Sequence, residues 1–178
     1  MMRTGKANAL IYIVLGALLV VVAVLALINR SDAEIRRALE ENREFLVNID
    51  GEHVATVDFQ YVLDLKPQEF TTPFATSVTV SRDTELLGVE LRILLEALDI
   101  DISEAKRFTA SGLDGYFSPL TREEVEREET VYICYSMDGK ILTTKSEGGY
   151  GPFMMVIRDT SFAQRWCKYL GSIDVVTS

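Results

Sequence analysis

Twenty consecutive residues without a charge, 9–28 (ALIYIVLGALLVVVAVLALI), set the strongest limit on what this chain can become. As a helix at ~1.5 Å per residue they would extend ~30 Å, the thickness of a bilayer's hydrocarbon core. A cleaved secretory signal is the competing reading, but its apolar region is usually shorter, roughly 7–15 residues, and closes on a small-x-small site. Here the run leads straight into NRSDAEIRRALEEN, where no such site stands out. Residues 9–28 are therefore read as a retained transmembrane helix, with residues 1–8 as a cytoplasmic N-terminus. Basic residues flank both ends, Arg3 and Lys6 before, Arg30, Arg36, Arg37 and Arg43 after, and do not settle orientation. A large folded domain behind a single N-terminal anchor can be translocated despite its charges. The expectation is a single-pass protein of the cell membrane with its C-terminal domain extracytoplasmic.

All acidic residues lie beyond residue 30. Of the 18 basic residues, Arg3, Lys6 and Arg30 fall outside that region, so 15 face 27 carboxylates, a net of about −12. A domain so charged repels nucleic acid and anionic headgroups, which leaves small molecules and proteins as its partners.

The segment SDAEIRRALEENREFL opens with Ser31 and Glu34 at capping-box spacing. Ile35, Ala38, Leu39, Asn42, Phe45 and Leu46 then recur at helical intervals. Residues 29–45 are thus expected to form a helical stalk, with the globular domain occupying 46–178. FLVNIDGEHVATVDF reads as a hairpin turning at Asp50-Gly51, with His53 on its surface. A short helix follows within 58–80, then TTPFATSVTV as one alternating strand. Leu91, Leu94, Leu95 and Leu98 form an apolar helical stripe. KRFTASGLDGYFSPL gives strand, loop, strand, and TREEVEREET an exposed acidic helix or turn. VYICYSMDGKILT is a second hairpin, GPFMMVIRD a strand buried on both faces, and TSFAQRWCKYLGSIDVV a short helix ended near Gly171 plus a last strand. Short strands, tight turns and few helices predict an α+β fold with a mixed sheet, preceded by one transmembrane helix.

Motifs for familiar chemistries are missing. GGYGPFMMVI at 148–157 lacks the GxxxxGK[ST] of a P-loop, and it opens a strand where a dinucleotide fingerprint would open a helix. By its residues it is a turn that lets the backbone take unusual dihedrals or approach a neighbour closely. GxSxG is absent, and His53, the sole histidine, has no partner motif. Cys134 and Cys167 form no CxxC, so a zinc site with four ligands is not expected. Buried unpaired thiols are the favoured reading, a disulfide outside the cell the other.

Five segments in order, LLGVELRILLEALDID, FTASGLDGYFSPLTREEV, VYICYSMDGKIL, GGYGPFMMVI and RWCKYLGSIDVV, resemble the oxidoreductase molybdopterin-binding domain, the core of the sulfite-oxidase superfamily. The resemblance spans roughly residues 46–178. It implies the sulfite-oxidase-like molybdopterin-binding fold, here as a small, stand-alone, membrane-anchored member. In the family a cysteine thiolate coordinates molybdenum within a C-x-G-N-like stretch that this chain lacks. Cys134 lies in a strand that is apolar in relatives and Cys167 in the expected closing helix, so neither takes the ligand's place. The family's HGYPxR segment corresponds to Gly149–Met154: its histidine is missing, a glycine precedes Pro152, and Met154 stands where arginine is expected. The RSVKWL segment persists as Arg165, Lys168 and Leu170. Those two basic side chains either face an anion such as a pterin phosphate or serve the C-terminal turn of a helix.

The resemblance therefore implies an inherited pocket rimmed by Asp114, Gly115 and Tyr116, by Gly149, Tyr150, Gly151 and Pro152, and by Arg165 and Lys168. Asp114 is equally explained as a turn residue. No catalytic or metal-binding residue is assigned. The expected function is a tethered binding module for a small anionic ligand or an envelope protein. The alternative is a molybdopterin-dependent oxidoreductase component that still holds the pterin.

Overall fold

The computed structural model describes residues 4–76, 79–158 and 163–177. It divides into two units, residues 1–38 and 39–178. Helix α1 runs over Thr4–Asn42. From Ile11 to Leu27 every side chain is exposed, and the helix is long and apolar enough to cross a membrane. It passes through Ser31 without a break, so the expected helix start there is not found; the side chain of Ser31 is outside the described residues. Past that point an exposed Arg30–Glu34 pair (3.1 Å) decorates its surface.

The second unit begins at Leu39, which is buried, ahead of the boundary expected at 46. Helix α1 stops at Asn42 because Arg43 adopts a left-handed conformation (φ 58°). Phe45, expected at the end of the stalk, instead belongs to strand β1 (Glu44–Ile49), where it is fully buried.

Strand β2 (Glu52–Asp58) pairs antiparallel with β1 around the expected turn, in which Asp50 and Gly51 both have positive φ. Helix α2 (Phe59–Asp64) follows, capped by the Asp58 carboxylate on the Tyr61 N–H. Strands β3 (Gln68–Thr76) and β4 (Thr79–Glu90) then form a long hairpin. The single strand expected at 71–80 is thus the end of one strand and the start of the next. Helix α3 (Leu91–Ala97) buries Leu91, Leu94 and Leu95 as the stripe required. Strands β5 (Arg107–Gly112) and β6 (Phe117–Leu120) flank the GLDG loop. Helix α4 (Arg122–Glu126) has a full Thr121/Glu124 capping box. Strands β7 (Val131–Met137), β8 (Lys140–Ile141), β9 (Met154–Ile157) and β10 (Leu170–Val176) complete the chain.

Two sheets result. One has the order β2-β1-β10-β5-β6, with β1 and β10 parallel; the other has β3-β4-β7-β8, with β9 also on β7. Residues directly opposite on neighbouring strands share a face, and this sorts the core. Ile133, Met155 and Cys167 lie in one row across β7, β9 and an isolated bridge. They join Phe45, Phe108 and Ile173 in the core shared by both sheets. Cys134 and Met154, the next row, point to the other face of β7 and β9, among Phe70, Phe74 and Trp166. That double burial is why VYICY and MMVI carry no charged residue.

Among the described residues the expected closing helix is not found; its start, at 160–162, lies outside them. Residues 163–165 make one 3-10 turn, Cys167 is in a β-bridge, and Gly171 lies inside β10. Trp166 explains the early stop: its indole N–H donates to the Ile157 carbonyl (3.1 Å), which turns the chain against β9.

Candidate functional site

Three segments converge at the end of the two sheets. The first is the β5–β6 loop. Asp114 Oδ1 accepts the Tyr116 N–H (3.1 Å), and Gly115, at φ 87°, donates to the Gly112 carbonyl (2.9 Å). Asp114 therefore acts as a turn former. Tyr116 donates its hydroxyl to the Gln164 carbonyl, and the Leu113 N–H donates to the Tyr169 carbonyl (2.7 Å). These bonds join the loop to the third segment.

The second is the glycine loop. Gly148 caps a 3-10 turn (Lys145–Glu147) in the left-handed conformation. The Gly149 N–H donates to the Thr144 carbonyl (3.0 Å) and the Gly151 N–H to the Thr143 carbonyl (2.8 Å). A Cβ on Gly149 would lie 2.2 Å from the Thr143 oxygen, and one on Gly151 (φ 94°) 2.5 Å from the Tyr169 Cα. Both glycines are thus required by close backbone approach, and both amides are consumed inside the protein. The loop is not a phosphate cradle, in agreement with its sequence. Pro152 is buried behind it. Met154, where the family resemblance expected arginine, is fully buried in the core beside Trp166.

The third segment is 165–170. Tyr169 donates its N–H to the Tyr150 carbonyl (2.7 Å) and its hydroxyl to the Gly149 carbonyl (2.9 Å). Arg165 donates through Nη1 and Nη2 to both carboxylate oxygens of Glu124 (2.6 and 3.0 Å), and Nη2 also reaches the Pro119 carbonyl (2.8 Å). This fork holds Glu124 below the usual carboxylate range. The guanidinium is committed to the protein. Lys168 faces the rim's aromatic rings, its Nζ 4.1 Å from the Tyr150 ring centroid and 5.6 Å from that of Phe74, and Lys145 Nζ lies 5.3 Å from the Tyr169 ring centroid. Burial lowers the pKa of Lys168, while the nearby Asp114 charge opposes that effect. Among the described residues Arg165 ends a single 3-10 turn, and Lys168 lies beyond it in extended chain.

All nine residues expected at the rim thus lie on three segments, the first two each bonded to the third, with Arg165 paired to Glu124. Sequence reasoning did not single out Tyr169, Thr143 or Phe74. Tyr169, with a positive φ of 52°, ties the segments together. Beside Tyr150 and Gly149 a groove of about 340 Å³ opens, lined by Met137, Asp138, Lys140, Ile141, Leu142 and Thr143, with the Asp138 carboxylate paired to Arg82 (2.7 Å).

These residues do not fit a molybdenum–pterin centre. Cys134 and Cys167 are both free and wholly inaccessible. Desolvation pushes the Cys134 thiol up strongly and Cys167, next to Asp114, to about 12. Cys167 is adjacent in sequence to Lys168, yet its side chain faces the shared core, while Cys134 faces the opposite one. A soft metal needs a thiolate, and neither thiol offers one at the surface; their opposed faces also rule out a bridge between them. Among the described residues no group of three or more His, Cys, Asp or Glu side chains is placed to hold a metal ion. His53 is exposed on β2, with Nε2 3.2 Å from Thr56 Oγ1.

No family model and no curated protein matches this chain. Among solved structures it is similar to the sulfane dehydrogenase SoxCD from Paracoccus pantotrophus, with a TM-score of 0.60 and 16% identity over 76% of this chain. The match takes in 38% of that chain. The likeness is one of fold. The second unit has a mixed α+β architecture in common with that structure.

Proposed function

We propose that this protein is a membrane-tethered, extracytoplasmic binding module built on a molybdenum-oxidoreductase fold. The carrying observation is the fate of the two thiols: each is sealed in a different face of the core, so the scaffold stands without an accessible thiol. Site and core residues are separable in such folds, and a scaffold can persist after its chemistry is lost. What the rim still offers is Lys168, held between two aromatic rings beside Asp114, and the groove with Lys140 on its wall. Its ligand is a small molecule carrying an anionic group and an apolar body, or an envelope protein presenting the same chemistry. The apolar helix supplies the tether, and the acidic domain stays in solution above the membrane.

The fold neighbour, a sulfane dehydrogenase, favours a second reading, in which the chain is one component of a molybdopterin enzyme whose metal ligand comes from another chain.

The test is thermal unfolding of the detergent-solubilised protein against a panel of small carboxylates, sulfonates and phosphate esters. Stabilisation that saturates and is lost in Lys168→Met supports the binding module. Uniform lack of stabilisation, with no protein partner recovered from detergent extracts of the native host, contradicts it.

A further inference from the structure

A second concavity, of about 460 Å³, lies between α3, the chain at 99–102 and α4, and shares no residue with the rim described above. Its floor is aliphatic: Leu95 is buried, and Ile100 and Ile102 are half-buried. Its edge is acidic. Glu96, Asp99, Asp101 and Glu126, from three separate segments, all stand exposed around it. The lone cation on the lining among the described residues is Arg92. Its Nε already donates to the buried Glu90 carboxylate (2.8 Å), and Nη2 is 3.5 Å from Glu128. Glu126 is offset by Arg122 (3.3 Å), and Asp101 closes a turn on the Ser103 N–H (2.9 Å). Among the described residues, Glu96 and Asp99 have no ion-pair partner.

We infer that this groove is a docking surface for a partner protein's segment that presents a lysine or arginine next to an aliphatic residue. An aliphatic floor edged by four carboxylates, two of them without an ion pair, matches such a side chain in both parts. The methylene stem lies on Ile100 and Ile102, and the charged head reaches Glu96 and Asp99. An open lining drawn from two helices and a loop suits a peptide segment better than an enclosed small molecule.

The full-length protein in detergent micelles is titrated with the peptide acetyl-Leu-Lys-Leu-Lys-amide, with its Leu-Glu counterpart, and with spermidine, while the methyl resonances of Ile100 and Ile102 are followed by NMR. The lysine peptide is expected to shift both methyls in a saturable way. The double variant Glu96→Gln/Asp99→Asn should weaken that binding by roughly tenfold or more. Asparagine tolerates the left-handed backbone at Asp99 (φ 55°), so this variant keeps the fold, which circular dichroism verifies. Equal shifts from the glutamate peptide, affinity unchanged in the variant, saturation by spermidine without the peptide, or no shift of either methyl would each overturn the proposal.

Discussion

Arg165 grips Glu124 with both terminal nitrogens, Nη1 to Oε1 at 2.6 Å and Nη2 to Oε2 at 3.0 Å. The pair ties the 3-10 turn at 163–165 to α4, and the Ser118 hydroxyl reinforces it by donating to the Arg165 carbonyl (2.6 Å). Arg165→Met should destabilise the domain by about 1–2 kcal/mol, since a bidentate pair is stronger than an ordinary surface one but is still partly screened. The folded-state pKa of Glu124 is depressed. Its contribution is therefore present above the ordinary glutamate range and is lost as pH falls through the lowered value. Urea unfolding at neutral pH should separate wild type from Arg165→Met, and the gap should shrink at pH 3. A gap that is constant with pH would assign the loss to packing rather than charge.

The glycine loop predicts unequal costs at adjacent positions. A Cβ on Gly148 would stand in open space, and only the left-handed φ of 78° opposes substitution, so Gly148→Ala should cost about 1 kcal/mol. Gly149→Ala meets the Thr143 carbonyl and Gly151→Ala meets Tyr169 backbone, so each should cost on the order of 2–3 kcal/mol. Thermal unfolding of the three variants orders them. Equal losses would show that backbone conformation, not close approach, sets the requirement.

Arg43 and Glu40 hold the outer side of the same loop. The Arg43 guanidinium carbon is 4.3 Å from the Phe59 ring centroid, its Nη2 reaches the Leu142 carbonyl (3.4 Å), and Glu40 Oε1 accepts the Lys145 N–H (2.9 Å). Replacing both residues by alanine should speed amide exchange at Gly149 and Gly151 by roughly tenfold, as loss of about 1–2 kcal/mol of local support requires. Exchange in β7 should be unchanged, and an equal increase there would mean global destabilisation instead.

The thiols give a chemical prediction. Burial pushes Cys167 to about 12 and Cys134 higher still. A thiol reagent at pH 8 should leave both unmodified in folded protein and modify both once the protein is unfolded in denaturant. Mobility without reductant should equal mobility with it. Rapid labelling of one cysteine in the folded state would place that sulfur at the surface.

Much of the architecture could be read from residue patterns because local rules and tertiary packing agreed. Asp50-Gly51 and Asp138-Gly139 both turn hairpins through positive φ, and Leu91, Leu94 and Leu95 all face inward. The pattern misled where packing overrode periodicity. Phe45 continues the helical spacing of Ile35 and Leu39, yet it is needed in the core, so the chain leaves the helix at Arg43. AQRWCKYL looks helical, but after a 3-10 turn at 163–165 Trp166 and the Met155–Cys167 bridge draw the chain out against β9. The rim loops were visible as glycine clusters, whereas the commitment of Arg165 to Glu124 was not. Forty-one residues separate the two, and only the fold reveals that they meet.

The central claim is that this scaffold stands without a metal centre, its thiols enclosed in the core. The most direct measurement is elemental and pterin analysis of the full-length protein purified from its native host grown with added molybdate. The structure predicts molybdenum far below one atom per chain and no pterin fluorescence after acid oxidation. Stoichiometric molybdenum together with a released pterin would contradict it.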